Sequence, residues 1–151
     1  SYAAQVAQVE VDVLTGQVEV TGFAIATDCG TIINPQIYEQ QIHGGIAQGL
    51  GYALFEEFST YEGMVRTPNF ATYLIPTAMD VPEMDSMPVQ ILESTGPFGL
   101  KGVGEVATTG PFPAVANALS DACGIRVFRS PLTAERVLAA LRDKENKEFS
   151  Q

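Results

Sequence analysis

Between Asn34 and about Glu57 lies a stretch that reads as one helix and yet carries glycine at Gly44, Gly45, Gly49 and Gly51. Glycine costs a helix interior about 1 kcal/mol relative to alanine, so propensity does not explain these four positions. The missing Cβ does, because it lets a second body come close to the helix backbone. That body is either another layer of the same fold or a ligand lying across the helix, and spacing alone leaves both open. The start of the helix is well marked. Asn34 can accept from the first free N–H groups, and Pro35 gives up only a donor that would be unpaired there anyway.

The elements around this helix read as strands and shorter helices. Val6 to Leu14 alternates polar with apolar residues, Gln17 to Ala26 is rich in β-branched and aromatic residues, and Thr15-Gly16 between them suits a tight turn, so the segment predicts a β-hairpin. A second hairpin is expected over Phe58 to Arg66, around Glu62-Gly63, and Phe70 to Ile75 is a short apolar stretch that Pro76 ends. Pro82 and Pro88 mark Val81 to Pro88 as a loop, with a brief strand over Val89 to Leu92. A helix is expected over Ala114 to Ala122, capped by Gly124, then a strand over Arg126 to Phe128. Val137, Leu138 and Leu141 share a face of a final amphipathic helix over Ala134 to Arg142. The expected fold is α+β, an antiparallel or mixed sheet from hairpins packed with the glycine-bearing helix and two shorter ones. Residues 1–142 form one domain, and 143–151 a charged, frayed tail. Strand pattern begins directly at Ser1 without an initiator Met, which suggests a piece of something longer.

Composition narrows the function classes. With 46% hydrophobic residues among 151, the chain can bury a real core, and its formal net charge of −10 repels phosphate backbones and anionic membranes. No apolar run approaches the roughly 20 residues of a membrane span. Cys29 and Cys123 are the only cysteines and show no CxxC spacing, so they are expected as buried reduced thiols, outside any disulfide or iron–sulfur site. His43 is the only histidine and has no second ligand at metal spacing. Any metal would therefore arrive inside a cofactor. The lack of a leader reads as a cytoplasmic location.

Chemistry is expected at Gly96-Pro97-Phe98-Gly99-Leu100-Lys101-Gly102-Val103-Gly104-Glu105. Its four glycines allow positive φ and close approach to a ligand, and a single carboxylate follows them. Such glycines also mark ordinary tight turns. A plain mononucleotide-binding module fares worst as a reading, because the glycines do not stand in GxGxxG spacing between a strand and a helix.

Asp28-Cys29-Gly30 to Asn34-Pro35, then Gln41-Ile42-His43-Gly44-Gly45-Ile46-Ala47-Gln48-Gly49-Leu50-Gly51, Tyr73-Leu74-Ile75-Pro76-Thr77, Gly99 to Glu105, Pro113-Ala114-Val115-Ala116-Asn117-Ala118 and Pro131-Leu132-Thr133 occur in one order. This collinear set resembles the C-terminal part of the molybdopterin-binding subunit in the molybdenum hydroxylases, the xanthine dehydrogenase and aldehyde oxidase family. The likeness covers nearly the whole chain. It implies molybdopterin, as such or as its cytosine dinucleotide, carrying molybdenum, with FAD and 2Fe-2S centres on partner chains or domains. In that family a glutamate takes a proton from a metal-bound hydroxide, so that the oxygen attacks an electron-poor carbon while hydride leaves to a sulfido ligand. Glu105 matches that glutamate, and a dry, glycine-lined pocket is expected around it.

By the same resemblance Gln41, Gly44, Gly45 and Gln48 form one helix face against the pterin or its pyrophosphate, and Lys101, Gly102, Val103 and Gly104 line the cofactor near the metal. Gln41 and Gln48 stand seven residues apart, about two helical turns, which agrees with one face. A purely structural role for Gln48 stays open. His43 stands where many members have glutamate and is expected at the rim, without a ligand role. The implied function is part of an oxidoreductase hydroxylating an N-heteroaromatic, with a lean towards purines, or an aldehyde. The alternative is a non-catalytic assembly domain that docks to the rest of the molybdenum subunit. Other expected partners are the iron–sulfur and flavin subunits and a small-molecule substrate, with self-association where an apolar face is left uncovered. Nucleic acid and membrane are not expected.

Overall fold

The computed structural model describes residues 1–148. Its element order is β1 (Tyr2–Val11), β2 (Val18–Asp28), α1 (Pro35–Leu54), β3 (Thr60–Tyr61), β4 (Met64–Val65), β5 (Glu83–Val89), a 3-10 turn over Pro97–Gly99, α2 (Pro111–Cys123) and α3 (Ala134–Glu148). The α+β class expected from the sequence is the class observed. No helix among the described residues is long and apolar enough to cross a membrane.

β1 and β2 form the expected antiparallel hairpin. Ala7, Val9 and Val11 turn inward while Val6, Gln8 and Glu10 face out, the period-2 pattern of a sheet with one covered face. β1 ends at Val11 and not at Leu14, because Asp12 collects backbone N–H groups: its carboxylate accepts from Leu14 at 2.8 Å and its carbonyl from Gly16 at 2.7 Å. The register shifts at Gln8/Val9, where Gln8 pairs with Gly22 and Val9 with Val20. Thr21 is the extra residue of this bulge, and it lets both Val20 and then Phe23, Ile25 and Thr27 face the core.

The third strand departs from expectation. β5 occupies the segment assigned to a proline-marked loop and pairs parallel to β2, giving the order β1-β2-β5. It is an edge strand, so Pro88, opposite Thr27, removes a donor at a place the sheet tolerates. Only Val89 of the strand expected at Val89 to Leu92 is extended within the sheet. Arg126 to Phe128 forms no strand. The small second hairpin is present, with Glu62 and Gly63 both at positive φ in its turn. α3 runs on to Glu148 where fraying was expected after residue 142, and residues 149–151 of the expected tail lie outside the described residues.

α1 covers the inner face of the sheet. Asn34 caps it, accepting from the Ile37 N–H at 3.1 Å, and Pro35 opens it. Tyr38, Ile42, Ile46 and Leu50 follow at intervals of four and are buried with Ile25, Val115, Leu119 and Val137 in one core. Three of the four glycines explain themselves here, Gly51 by facing Glu56 and Pro76. A Cβ on Gly45 would come within 2.9 Å of the Ala107 Cβ, and one on Gly49 within 2.5 Å of Pro111 Cγ and 2.7 Å of the Thr108 carbonyl. The segment leading into α2 therefore lies in a notch cut into α1. Gly44, one residue away, faces open space.

The glycine loop is zipped to the end of β2. Gly30, at φ 65°, makes an isolated antiparallel bridge to Leu100, and the Gly99 carbonyl lies where a Cβ on Gly30 would be. Thr31 donates its N–H to Gly99 O at 3.1 Å and its hydroxyl to Phe98 O at 2.7 Å, and Lys101 N–H donates to Cys29 O at 3.1 Å. The Lys101 ammonium then reaches the Asp28 carboxylate at 2.6 Å, with both side chains almost buried. That hydrogen bond is the largest influence holding the Asp28 carboxyl below the usual carboxylate range, opposed by desolvation and helped by the Gly30 N–H.

These contacts set two expectations for stability. In urea denaturation, Gly49→Ala should destabilise the chain by about 1–3 kcal/mol through the clash with Pro111, whereas Gly44→Ala should stabilise it by up to about 1 kcal/mol. Equal effects would remove the notch. Because the folded pKa of Asp28 is depressed, its contribution is complete above the unfolded carboxylate value of about 3.9 and is lost as pH falls through the folded one. Asp28→Asn should therefore lower Tm at neutral pH, and the gap to the parent should close as pH drops below about 4. A gap constant with pH would show that the ion pair does not stabilise the loop.

Candidate functional site

α1 and the glycine loop meet where the loop leaves β2. Phe98 and Gly99 both have positive φ (55° and 74°), which turns the chain back on itself after Pro97. Phe98 takes a conformation that costs an L-residue about 1–2 kcal/mol, and its ring points to solvent at 85% exposure. Beyond Lys101 the backbone passes the N-terminal half of α1. There the Gln41 side-chain amide donates to the Gly104 carbonyl at 2.6 Å. On the far side, the Glu105 carbonyl accepts from the Thr108 N–H at 3.1 Å, joining the loop to the segment seated in the notch of α1.

Between loop and helix lies an open groove of about 430 Å³, walled mainly by Ile32, Ile33, Ile37, Val103 and Leu100. Gln41, Lys101 and Gly104 stand along the same groove. Tyr38 and Cys29 close its floor and are both buried. Burial pushes the Tyr38 phenol up, and burial first and the Asp28 charge second push the Cys29 thiol up. A thiol held protonated in this way is a packing group and not a nucleophile. Both cysteines are free, Cys29 buried and Cys123 only half-buried, where two buried thiols were expected.

The structure divides the expected site residues into two groups. Gln41, Gly44 and Gln48 share the exposed side of α1, Gly102 and Gly104 are exposed on the loop, Val103 is half-buried, and Glu105 is exposed. Around Gly44, Gly102 and Gly104 nothing lies within 4 Å of where a Cβ would stand. Gly45 does not belong to that face. It turns inward against Ala107, so helix packing accounts for it. Lys101 points its ammonium at Asp28, not along the groove. The dry pocket expected around Glu105 is not built by this chain, which leaves the carboxylate open to solvent. Gln48 donates to the Tyr52 hydroxyl at 2.6 Å, one helical turn on. His43 is half-buried, and its Nε2 is buried without a hydrogen-bond partner. Among the described residues no group of three or more His, Cys, Asp or Glu could hold a metal ion.

Asp28 and Tyr52 carry no role in the sequence reading. Tyr52 was findable, since it stands four residues after Gln48 on one helix face. Asp28 was not, because its partner is 73 residues away.

Comparison with known proteins agrees with this geometry. The family described as "Molybdopterin cofactor-binding domain" matches residues 1–82. The chain is 37% identical over 150 residues to a probable xanthine dehydrogenase subunit of Bacillus subtilis (strain 168), covering 99% of this chain and 20% of that protein. To the "Aldehyde oxidoreductase" of Megalodesulfovibrio gigas it is 38% identical over 142 residues, covering 93% of this chain and 15% of that one. Among solved structures, quinoline 2-oxidoreductase from Pseudomonas putida 86 superposes with a TM-score of 0.84 at 37% identity, over 89% of this chain and 18% of that one. Aldehyde oxidoreductase from Desulfovibrio gigas gives 0.86 at 36% identity, over 93% and 15%. The chain thus spans no more than about a fifth of the length of these relatives. The ordered motifs, the α+β fold and the family match over residues 1–82 together establish that this chain belongs to the molybdopterin cofactor-binding domains of the molybdenum hydroxylase family.

Proposed function

We propose that the chain builds one wall of the molybdopterin site in a molybdenum hydroxylase subunit and supplies Glu105 as the general base. One observation carries this reading. The loop is anchored by backbone bonds at Lys101 and Glu105, yet Gly102 and Gly104 between the anchors have open space where side chains would stand. A loop that serves packing alone has no use for that opening. Gly44 on the facing helix is open in the same way.

The residues fit such a cofactor. Gly102 and Gly104 offer backbone N–H groups with no Cβ of their own to block an approach, with Val103 between them, and Gly44 lets a flat ring or a phosphate approach α1. Gln48 adds an amide beside it on the exposed face, steadied by Tyr52. When bound, molybdopterin supplies the metal and thiolate ligands for a two-electron oxidation. The Glu105 carboxylate accepts the proton of the attacking hydroxyl at one Oε, work that contributes about 10²–10⁴-fold in rate for a well-placed base. The apolar groove ends at Gly104, next to the carboxylate. Water exclusion around Glu105 falls to polypeptide outside this chain.

For the substrate we favour an N-heteroaromatic compound, with purines first and aldehydes second. Relatives named for xanthine and solved structures named for quinoline support the first, and the aldehyde oxidoreductases support the second. The cofactor is molybdopterin or its cytosine dinucleotide. Electrons leave through 2Fe-2S and FAD groups on partner subunits, in agreement with relatives named as subunits of complexes, and the enzyme works in the cytoplasm. Docking to the rest of the molybdenum subunit is the companion role. Ile33 at 70%, Phe70 at 75% and Phe128 at 92% exposure are apolar side chains that such a partner would cover.

In the complete molybdenum subunit, Glu105→Gln should lower turnover by at least about 10²-fold with molybdenum and pterin content unchanged. Steady-state assays with purines and aldehydes and an artificial electron acceptor, together with metal analysis, check this. Near-parental turnover would take Glu105 out of the role.

A further inference from the structure

We infer that Gln41 is a positioning residue for Glu105: it holds the peptide immediately before the carboxylate by donating from its amide to the Gly104 carbonyl. This rests on the reading of Glu105 as the base. The bond measures 2.6 Å and joins residues 63 apart in sequence. Its importance comes from what surrounds it. No neighbouring group stands within 4 Å of where a Cβ would be on Gly102 or Gly104, and glycine samples both signs of φ freely. The loop is tied upstream by Lys101 N–H to Cys29 O at 3.1 Å, and downstream by Thr108 N–H to Glu105 O at 3.1 Å. Between these two backbone ties, Val103 packs against the core, and the Gln41 amide supplies a side-chain hydrogen bond to the segment, at the peptide that leads into Glu105.

The donor is itself well placed. Gln41 stands one turn before Gly45, where α1 is seated against Ala107, so the helix that offers the amide is held in register with the residues just past Glu105. Release of the Gly104 carbonyl would let the Gly104–Glu105 peptide rotate and swing the carboxylate away from its proton donor. A misplacement of about 1 Å at a reacting group can cost about 10²-fold in rate. The amide thus acts on orientation. It need not touch the cofactor at all.

The test uses the complete molybdenum subunit with Gln41→Met, which keeps the length of the side chain and removes the donor. Four readouts are expected: kcat falling about 10- to 100-fold, KM and molybdenum and pterin content unchanged, and faster amide exchange in the peptide covering 101–106. In a Glu105→Gln background the added Gln41→Met should slow the residual single-turnover reaction by no more than about twofold, since both changes act through one group. Parental kcat, unchanged exchange, or additive loss in the double variant would overturn the inference. So would a fall in molybdenum or pterin content, which would make Gln41 a direct cofactor ligand. If Glu105→Gln alone keeps parental turnover, the base assignment fails, and the exchange measurement still decides whether Gln41 tethers the loop.

Discussion

The contact between α1 and the segment from Ala107 to Pro111 governs the arrangement of this domain. Gly45 and Gly49 remove the side chains that would keep the two backbones apart, so the entry to α2 occupies the space that Cβ atoms on α1 would need. A close-packed interior transmits position rigidly, because no soft layer intervenes to absorb a shift. Glu105 lies two residues before Ala107. Its place along α1 is therefore decided by a packing contact that involves no chemistry, and two glycines that look ligand-like by composition are structural.

The second constraint is the junction between β2 and the glycine loop. β5 brings the chain back parallel to β2, and its continuation past Val89 returns to the end of that strand, where Glu93 N–H and Thr31 N–H both donate to Gly99 O. The Asp28–Lys101 pair completes the junction in a place with little solvent. A nearly buried ion pair of this kind contributes most by being intact, since loss of one partner leaves the other charge desolvated and alone. The loop is consequently fixed at its root, while Gly102 and Gly104 further along keep open space where side chains would stand. Gly104, open in this way, lies along the groove between loop and helix.

Much of this was legible in the residues. Asn34-Pro35 announced the start of α1, Thr15-Gly16 and Glu62-Gly63 announced the two hairpins, and Gly124 announced the end of α2, because caps and tight turns are decided by atoms within a few residues. β5 was hidden by Pro88 within it and Pro82 just before it. A proline at a sheet edge is harmless, but whether a strand lies at an edge depends on the neighbours it meets. The extension of α3 to Glu148 was missed for a related reason, since a charged segment of low apolar content reads equally as tail or as solvated helix.

For the site, the sequence by itself determined which chemical groups are present: a lone carboxylate after a run of glycines and two amides on one helical face. Those are properties of residue type and local spacing, which covalent connectivity fixes. Only the tertiary structure decided their partners. It turned Gly45 inward while leaving Gly44 open, set Lys101 on Asp28, and brought the Gln41 amide to the Gly104 carbonyl. Each of those outcomes joins residues that are adjacent in space and distant in sequence. Adjacency of that kind follows from how α1, the sheet and α2 pack together, which no local pattern encodes.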